Sequence, residues 1–409
     1  MAGPLALRPR PFSFLRLSAA TWLAYTSYGV LLALLPFSEL NEGGGPLLAT
    51  LVVGAPLLSQ TLASYGWGWL SDRWGRRREL LAVGLALQAP LFLLLPVVGP
   101  VGLLGDRIAQ SALFGVVVLA TTLATEDTGA SSAVRLGRLQ LALNGGMLLG
   151  VAITFPLLVG AGVSLSSAAG WELTGTLAAL AVAAGAVGAL SGDLRRDPAP
   201  AEPGPPVRRG ALAPLVVALA ALTALVATFR YTAVTAIPVE LDRILSVHGF
   251  FGVPANAAEQ LALWLAVSSA VNLVVSPISG RLSDSPRSRR WTLGISAAVY
   301  GGLWTALAIS PTYGVAFAVW SFPVAVFFQV AGIREAAALG LPEARGRTVG
   351  LLTAAFNSGG LFGAAIAGSV LTVGASFPAV YALAAAGNFA VAVALAQWIR
   401  RLPAAGPVG

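Results

Sequence analysis

The chain has 409 residues, 56% of them hydrophobic and 10% charged, with a mean hydropathy of +0.80 and a formal charge of +8. A water-soluble globule of this length could not hide so much apolar side chain, so lipid is the solvent that fits. The absence of cysteine and the single histidine, His248, exclude disulfides, thiolate chemistry, Cys-ligated metals and a histidine relay, and every positive charge is an arginine.

Apolar runs and their breakers predict spans near 17–39, 46–70, 79–98, 101–125, 136–158 and 172–191. A second set follows near 212–238, 257–281, 291–309, 312–333, 348–373 and 378–399. Their unbroken apolar character excludes a β-barrel, which alternates along each strand. The first run reaches Pro36 without a small-residue cleavage pattern, so it reads as a span and not a signal peptide. The expected fold class is therefore an all-α integral membrane protein with twelve transmembrane helices.

The arginines set the orientation. With the N-terminus inside, 22 of 25 fall on one side, as the positive-inside rule requires of the cytoplasmic face. An odd span count in either half would scatter them to both faces. Trp67, Trp69, Trp74, Trp291 and Trp398 are expected at the same interface. The basic balance thus reports topology in a cytoplasmic membrane, with both termini inside, and not a nucleic-acid partner.

Residues 192–211 hold Pro198, Pro200, Pro203, Pro205 and Pro206 between arginine pairs, which reads as an extended cytoplasmic linker. It divides an N-terminal bundle (1–191) from a C-terminal bundle (212–409), six spans each. The halves match one another. Gly68-Trp-Leu70-Ser-Asp72 recurs as Gly280-Arg-Leu282-Ser-Asp284, and Asn144-Gly-Gly146 with Gly150 recurs as Asn357-Ser-Gly359 with Gly363. Glu126 and Arg138 recur as Glu335 and Arg347, and Pro36/Glu39 matches Pro238/Glu240. Pseudo-symmetric halves are the architecture of alternating-access carriers.

Between spans two and three lies Gly68-Trp-Leu70-Ser-Asp72-Arg73-Trp-Gly75-Arg76-Arg77. Gly68 permits close helix approach, and Asp72 is placed to cap a neighbouring helix N-terminus. Arg76 and Arg77 can pair with Glu126 and Asp127 at the inner end of span four, making a cluster that would latch the halves and break on opening. The alternative is that these arginines only anchor topology.

This loop resembles the signature loop of the major facilitator superfamily, Gly-x-Leu-x-Asp-Arg-x-Gly-Arg-Arg, at every defined position. The second copy keeps Gly280, Leu282 and Asp284 but has Ser285-Pro286 where the first has Arg-Trp. The resemblance covers essentially the whole chain and implies two six-helix bundles, with spans one, four, seven and ten lining a central cavity.

Two arginines fall inside predicted spans: Arg107 in span four and Arg230 in span seven. At ~1.5 Å per residue each lies roughly 10 Å below the outer surface. A charge inside a membrane is expensive and marks a functional site by default, and guanidinium groups suit a carboxylate or phosphate. Structural pairing is the competing reading, through Asp106 beside Arg107, or Glu240 or Asp242 beyond Arg230. Arg107-Ile-Ala-Gln110 also partly resembles the span-four motif of proton-coupled family members, though Ser111 and Leu113 replace its small residues. Tyr25, Tyr28, Tyr231, Gln329, Asn144 and Asn357 complete the candidate cavity groups, each weighed against a helix–helix hydrogen bond.

Glu172 and Asp106 are the remaining outer-half acids and both can titrate. Span one carries no acid before Glu39, and span five lacks the Gly-Pro pair of drug/proton antiporters. The expected activity is secondary transport of a small solute, a small organic anion being the leading class, with a proton or ion as possible co-substrate. A proton-coupled efflux antiporter and a transport-inactive membrane sensor are the alternatives. No ATP-binding loop, metal site, cofactor or enzyme activity is expected, and the carrier is expected to work as a monomer in the bilayer.

Overall fold

The computed structural model describes residues 13–41, 45–125, 131–161, 167–191, 214–245, 257–340 and 344–402. Among these the chain is helical and no strand forms. The helices of the first half are α1 (Phe14–Asn41), α2 (Gly45–Trp74), α3 (Arg77–Ala86), α4 (Gln88–Leu94), α5 (Pro100–Phe114), α6 (Val118–Thr125), α7 (Ser131–Ala161) and α8 (Ala168–Ala189). The second half contributes α9 (Pro214–Leu245), α10 (Ala257–Leu282), α11 (Pro286–Ile309), α12 (Tyr313–Ser321), α13 (Val324–Leu339), α14 (Arg345–Thr372) and α15 (Phe377–Arg401). Among the described residues, nine helical segments are long and apolar enough to cross a membrane. The proposed linker at 192–211, His248, and Glu126 with Asp127 lie outside the described residues.

Two predicted spans are broken, and proline explains both. Pro90 has no N–H to donate, and its ring would strike the carbonyl of Ala86, where α3 ends. Phe322, with ψ 126°, is extended as residues before a proline prefer, so α12 and α13 are separate. The span expected at 101–125 instead runs from α5 to α6 through one 3₁₀ turn at residues 115–117.

Exposed apolar side chains such as Val101, Val274 and Ile309, at 73%, 69% and 78%, are the pattern of a lipid-facing surface. The interior holds the large side chains of Trp264, Trp304, Tyr381, Phe92 and Phe328. The aromatic belt is narrower than the sequence suggests: Trp69, Trp74 and Trp291 are exposed, but Trp398 is buried. Trp67 is half-buried and donates from Nε1 to the Ala112 carbonyl at 2.9 Å. A tryptophan on the packed side of a helix is simply part of the core.

Helices from the two halves meet in two matching contacts, α2 with α14 and α10 with α7. At the first, a Cβ on Gly68 would fall on the Gly346 carbonyl. At the second, a Cβ on Gly137 would lie 2.5 Å from the Ser276 carbonyl and 2.9 Å from Gly280 Cα. Both contacts sit at the arginine-rich end of the molecule and both depend on backbones touching without side chains between them.

Candidate functional site

The signature loop builds the first element of the site. Gly75 closes α2 with φ +66°, the left-handed cap that glycine adopts without strain, and its N–H donates to the Ser71 carbonyl at 2.9 Å. Asp72, just before it, has its side chain only 6% exposed. Its Oδ1 accepts from the Gly346 N–H at 3.0 Å and its Oδ2 from the Arg347 N–H at 2.8 Å. These are N–H groups of the first turn of α14, which have no partner inside the helix and carry the positive end of its dipole. Arg77 Nη2 donates to Asp72 Oδ1 at 2.8 Å and Arg347 Nε lies 3.7 Å from Oδ2. A return contact runs the other way: Arg345, 7% exposed, donates from Nη1 to the Thr125 carbonyl at 3.1 Å, at the C-terminal end of α6. Each half thus caps a helix of the other. Arg73 lies 5.5 Å from the Trp69 ring, and Arg76 is exposed.

The second copy is not equivalent. Gly280 provides the same close approach, but α7 begins at Ser131, so at Gly137 and Arg138 the helix has no free N–H groups to cap. Asp284 is left with Oδ1 buried and without a hydrogen bond. Burial pushes its carboxyl above the usual carboxylate range, against the opposing pull of Arg334 and Arg289. A carboxyl raised in this way favours the fold at low pH, and that contribution fades as pH rises through the raised value. Asp284→Asn should therefore flatten the acid side of the stability profile without loss at neutral pH, measured as unfolding temperature against pH.

Glu335, 1% exposed, is held by Arg289 Nε at 2.5 Å and Arg290 Nε at 2.9 Å. This arginine–acid cluster joins α11 to α13, two helices of the same half. By the repeat, the expected pairing of Arg76 and Arg77 with Glu126 and Asp127 would also lie within one half. The caps that span the halves are those made by Asp72 and, in return, by Arg345.

In the membrane interior the two arginines have different surroundings. Arg107 is 4% exposed and donates from Nη1 to Gln110 Oε1 at 3.0 Å, and Gln110 donates from Nε2 to Asp106 Oδ2 at 2.6 Å. The guanidinium carbon of Arg107 lies 5.9 Å from the Tyr28 ring, which stacks on Phe114 at 4.7 Å. Tyr25 meets Phe114 edge-on at 4.9 Å.

Arg230 is half-buried and makes no ion pair among the described side chains, which do not include Glu240 and Asp242. Three rings surround it: Tyr231 at 4.7 Å, Phe356 at 5.7 Å and Tyr300 at 5.9 Å. The Tyr300 hydroxyl is buried with no hydrogen bond of good geometry. Tyr28 lies beside Arg107 and Tyr231 beside Arg230, one tyrosine from each half. Aromatic faces stabilise a cation without neutralising it. Tyr300, Phe356 and Phe114 were not singled out in the sequence, because nothing in an apolar run marks which ring will face a charge.

The remaining candidates divide. Asn144 is buried and donates to the Gln140 carbonyl at 2.8 Å and to Ser276 Oγ at 3.4 Å, tying α7 to α10. Asn357 has a buried Nδ2 with no acceptor, and Gln329 is half-buried with no hydrogen bond among the described residues. Close packing sets the helix positions: a Cβ on Gly146 would lie 3.0 Å from Thr26 N on α1, and one on Gly363 would lie 2.7 Å from Thr232 N on α9.

No curated protein matches this chain in sequence. Solved structures do match in fold. The human organic anion transporter TETRAN superposes with a TM-score of 0.72 at 16% identity, over 93% of this chain and 98% of its own. The E. coli fucose:proton symporter FucP gives 0.66 at 17% identity, over 95% and 98%. The proton:xylose symporter XylE gives 0.67 at 15% identity, over 94% and 95%. The sequence pattern of the Major Facilitator Superfamily matches residues 17–333, and these residues include the signature loop with Asp72 and both membrane arginines. The chain belongs to the Major Facilitator Superfamily of membrane transporters.

Proposed function

We propose that this protein is a secondary carrier that moves a small organic anion across the cytoplasmic membrane by alternating access. In this reading two six-helix bundles, 1–191 and 212–409, are joined by the 192–211 linker and rock about a central site. The observation that carries it is the state of Arg230: a guanidinium inside the membrane, ringed by Tyr231, Phe356 and Tyr300, with no ion pair among the described side chains. Such a charge is expensive to keep in a membrane unless something it binds compensates it. Counting Arg107, Arg230 and ionised Asp106, the site carries one net positive charge, which suits a monoanion, and the rings suit an apolar or aromatic body. The arginine bias supports cytoplasmic placement of the Asp72 end, and the closed contacts there support an outward-open state of the cycle. TETRAN, a protein of the same fold, is an organic anion transporter.

Thermal-shift measurements on detergent-purified protein test this, with benzenesulfonate as the anion and tetraphenylphosphonium as the opposing cation. A ligand at 100 times its dissociation constant adds about 2.7 kcal/mol. Benzenesulfonate should stabilise the wild type and lose most of that effect in Arg230→Gln. Stabilisation by tetraphenylphosphonium alone would overturn the anion reading.

A further inference from the structure

We propose that Asp106 is the residue that takes up a coupling proton, and that Gln110 ties its protonation to anion binding at the arginines, an inference that rests on the anion-carrier reading above. Asp106, Arg107 and Gln110 are 7%, 4% and 1% exposed and share one face of α5. Gln110 is the bridge: its amide N–H satisfies Asp106 Oδ2 while its carbonyl oxygen accepts from Arg107. The amide is thereby fixed in one orientation, with the acid on one side and the guanidinium on the other.

The other oxygen of Asp106 is the proton's seat. Oδ1 is buried and accepts no hydrogen bond, and the carboxyl makes no ion pair among the described residues. An ionised oxygen there is buried with no donor, whereas an O–H there is neutral. Of the other span acids whose side chains are described, Glu335 is ion-paired and Glu172 is exposed. The titratable groups toward Asp106 are Arg107 and, beyond it, Tyr28 of α1. Besides α1, whose Tyr25 and Tyr28 meet Phe114, the elements packed against α5 are α2, α3 and α4. Their ionisable side chains are Tyr65, which is exposed, and those of the signature loop and the start of α3 at the arginine-rich end.

The step is a proton transfer only. Water on one face gives a proton to Asp106 Oδ1, forming an O–H bond, and water on the other face receives it after the carrier reorients. Protonation raises the net charge of the Asp106–Arg107–Arg230 group from one positive to two, so it strengthens anion binding. By reciprocity a bound anion strengthens proton binding by the same factor. An anion and a proton would therefore travel together, with no acid needed on α1.

Two readouts separate this inference from the reading beneath it. Infrared difference spectra between about pH 8 and about pH 5 need no ligand, and should show a buried protonated-carboxyl band that Asp106→Asn removes. Benzenesulfonate is the probe for coupling, because it stays charged and does not leak through lipid as a neutral acid. In the wild type its affinity should weaken as pH rises, by up to about tenfold per pH unit, and in Asp106→Asn it should not change with pH. In proteoliposomes Asp106→Asn should lose the accumulation of benzenesulfonate that a proton gradient drives in the wild type. Absence of an Asp106-dependent band overturns the proposal, as does the same pH dependence in wild type and Asp106→Asn. A band that benzenesulfonate leaves unchanged overturns the coupling through Gln110. Failure of benzenesulfonate to bind at all would instead strike the anion reading.

Discussion

Asp72→Asn is expected to abolish transport while the protein still inserts and folds. Asparagine keeps the size of the side chain but loses the charge that faces the first turn of α14, Arg77 and Arg347. Asparagine can still accept one backbone N–H, so the loss is that of the charge, and a hydrogen bond to a charged group contributes about 1.5–3 kcal/mol. A change of that size moves a two-state equilibrium by roughly tenfold or more. The chain has no cysteine, so Ser71→Cys, at a position 0% exposed behind the junction, would be a unique reporter. Its alkylation by a water-soluble maleimide should speed up at least about tenfold in the Asp72→Asn background. Unchanged labelling would mean that Asp72 does not hold the junction closed. Asp284→Asn should leave labelling and transport near wild type, since Asp284 caps no helix.

Glu335→Ala should be the most destabilising single change in the second half. Its carboxylate lies between Arg289 and Arg290 and is 1% exposed, so its removal leaves Arg289, itself 4% exposed, without its counter-charge. Breaking a buried ion pair by deleting one partner costs about 3–5 kcal/mol. The expected result is a marked fall in unfolding temperature and in monodisperse yield by fluorescence-detected size exclusion. A yield and unfolding temperature equal to wild type would show that water reaches the cluster. Because α11 and α13 belong to one half, this loss should come without the Ser71 labelling change that marks an opened junction.

Much of this site was readable before any coordinates. The Gly-x-Leu-x-Asp spacing places Gly68 and Asp72 one turn apart on a helix, and an acid there suits a helix N-terminus. Which N-terminus was not readable. The cap falls on α14, far along the chain, because Gly68 and Gly346 let two backbones touch. The weak second copy also has a reason that lies outside its own sequence. Asp284 caps no helix because α7 starts several residues earlier than the repeat would require, so no free N–H groups remain. The breaks fall at Pro90 and Pro323, but Pro56 and Pro277 lie inside unbroken helices, so a proline alone does not mark where a span will break.

Sequence by itself determined the solvent and the family, because run length and motif spacing are both local along the chain. It also placed Arg107 and Arg230 inside the membrane. Only the tertiary structure decided that they differ. Arg107 is answered by Gln110, and through it by Asp106, within its own helix. Arg230 is surrounded by rings that include Tyr300 of α11 and Phe356 of α14. A charge is compensated or left open by whatever packing brings beside it, and packing joins residues that the sequence keeps far apart.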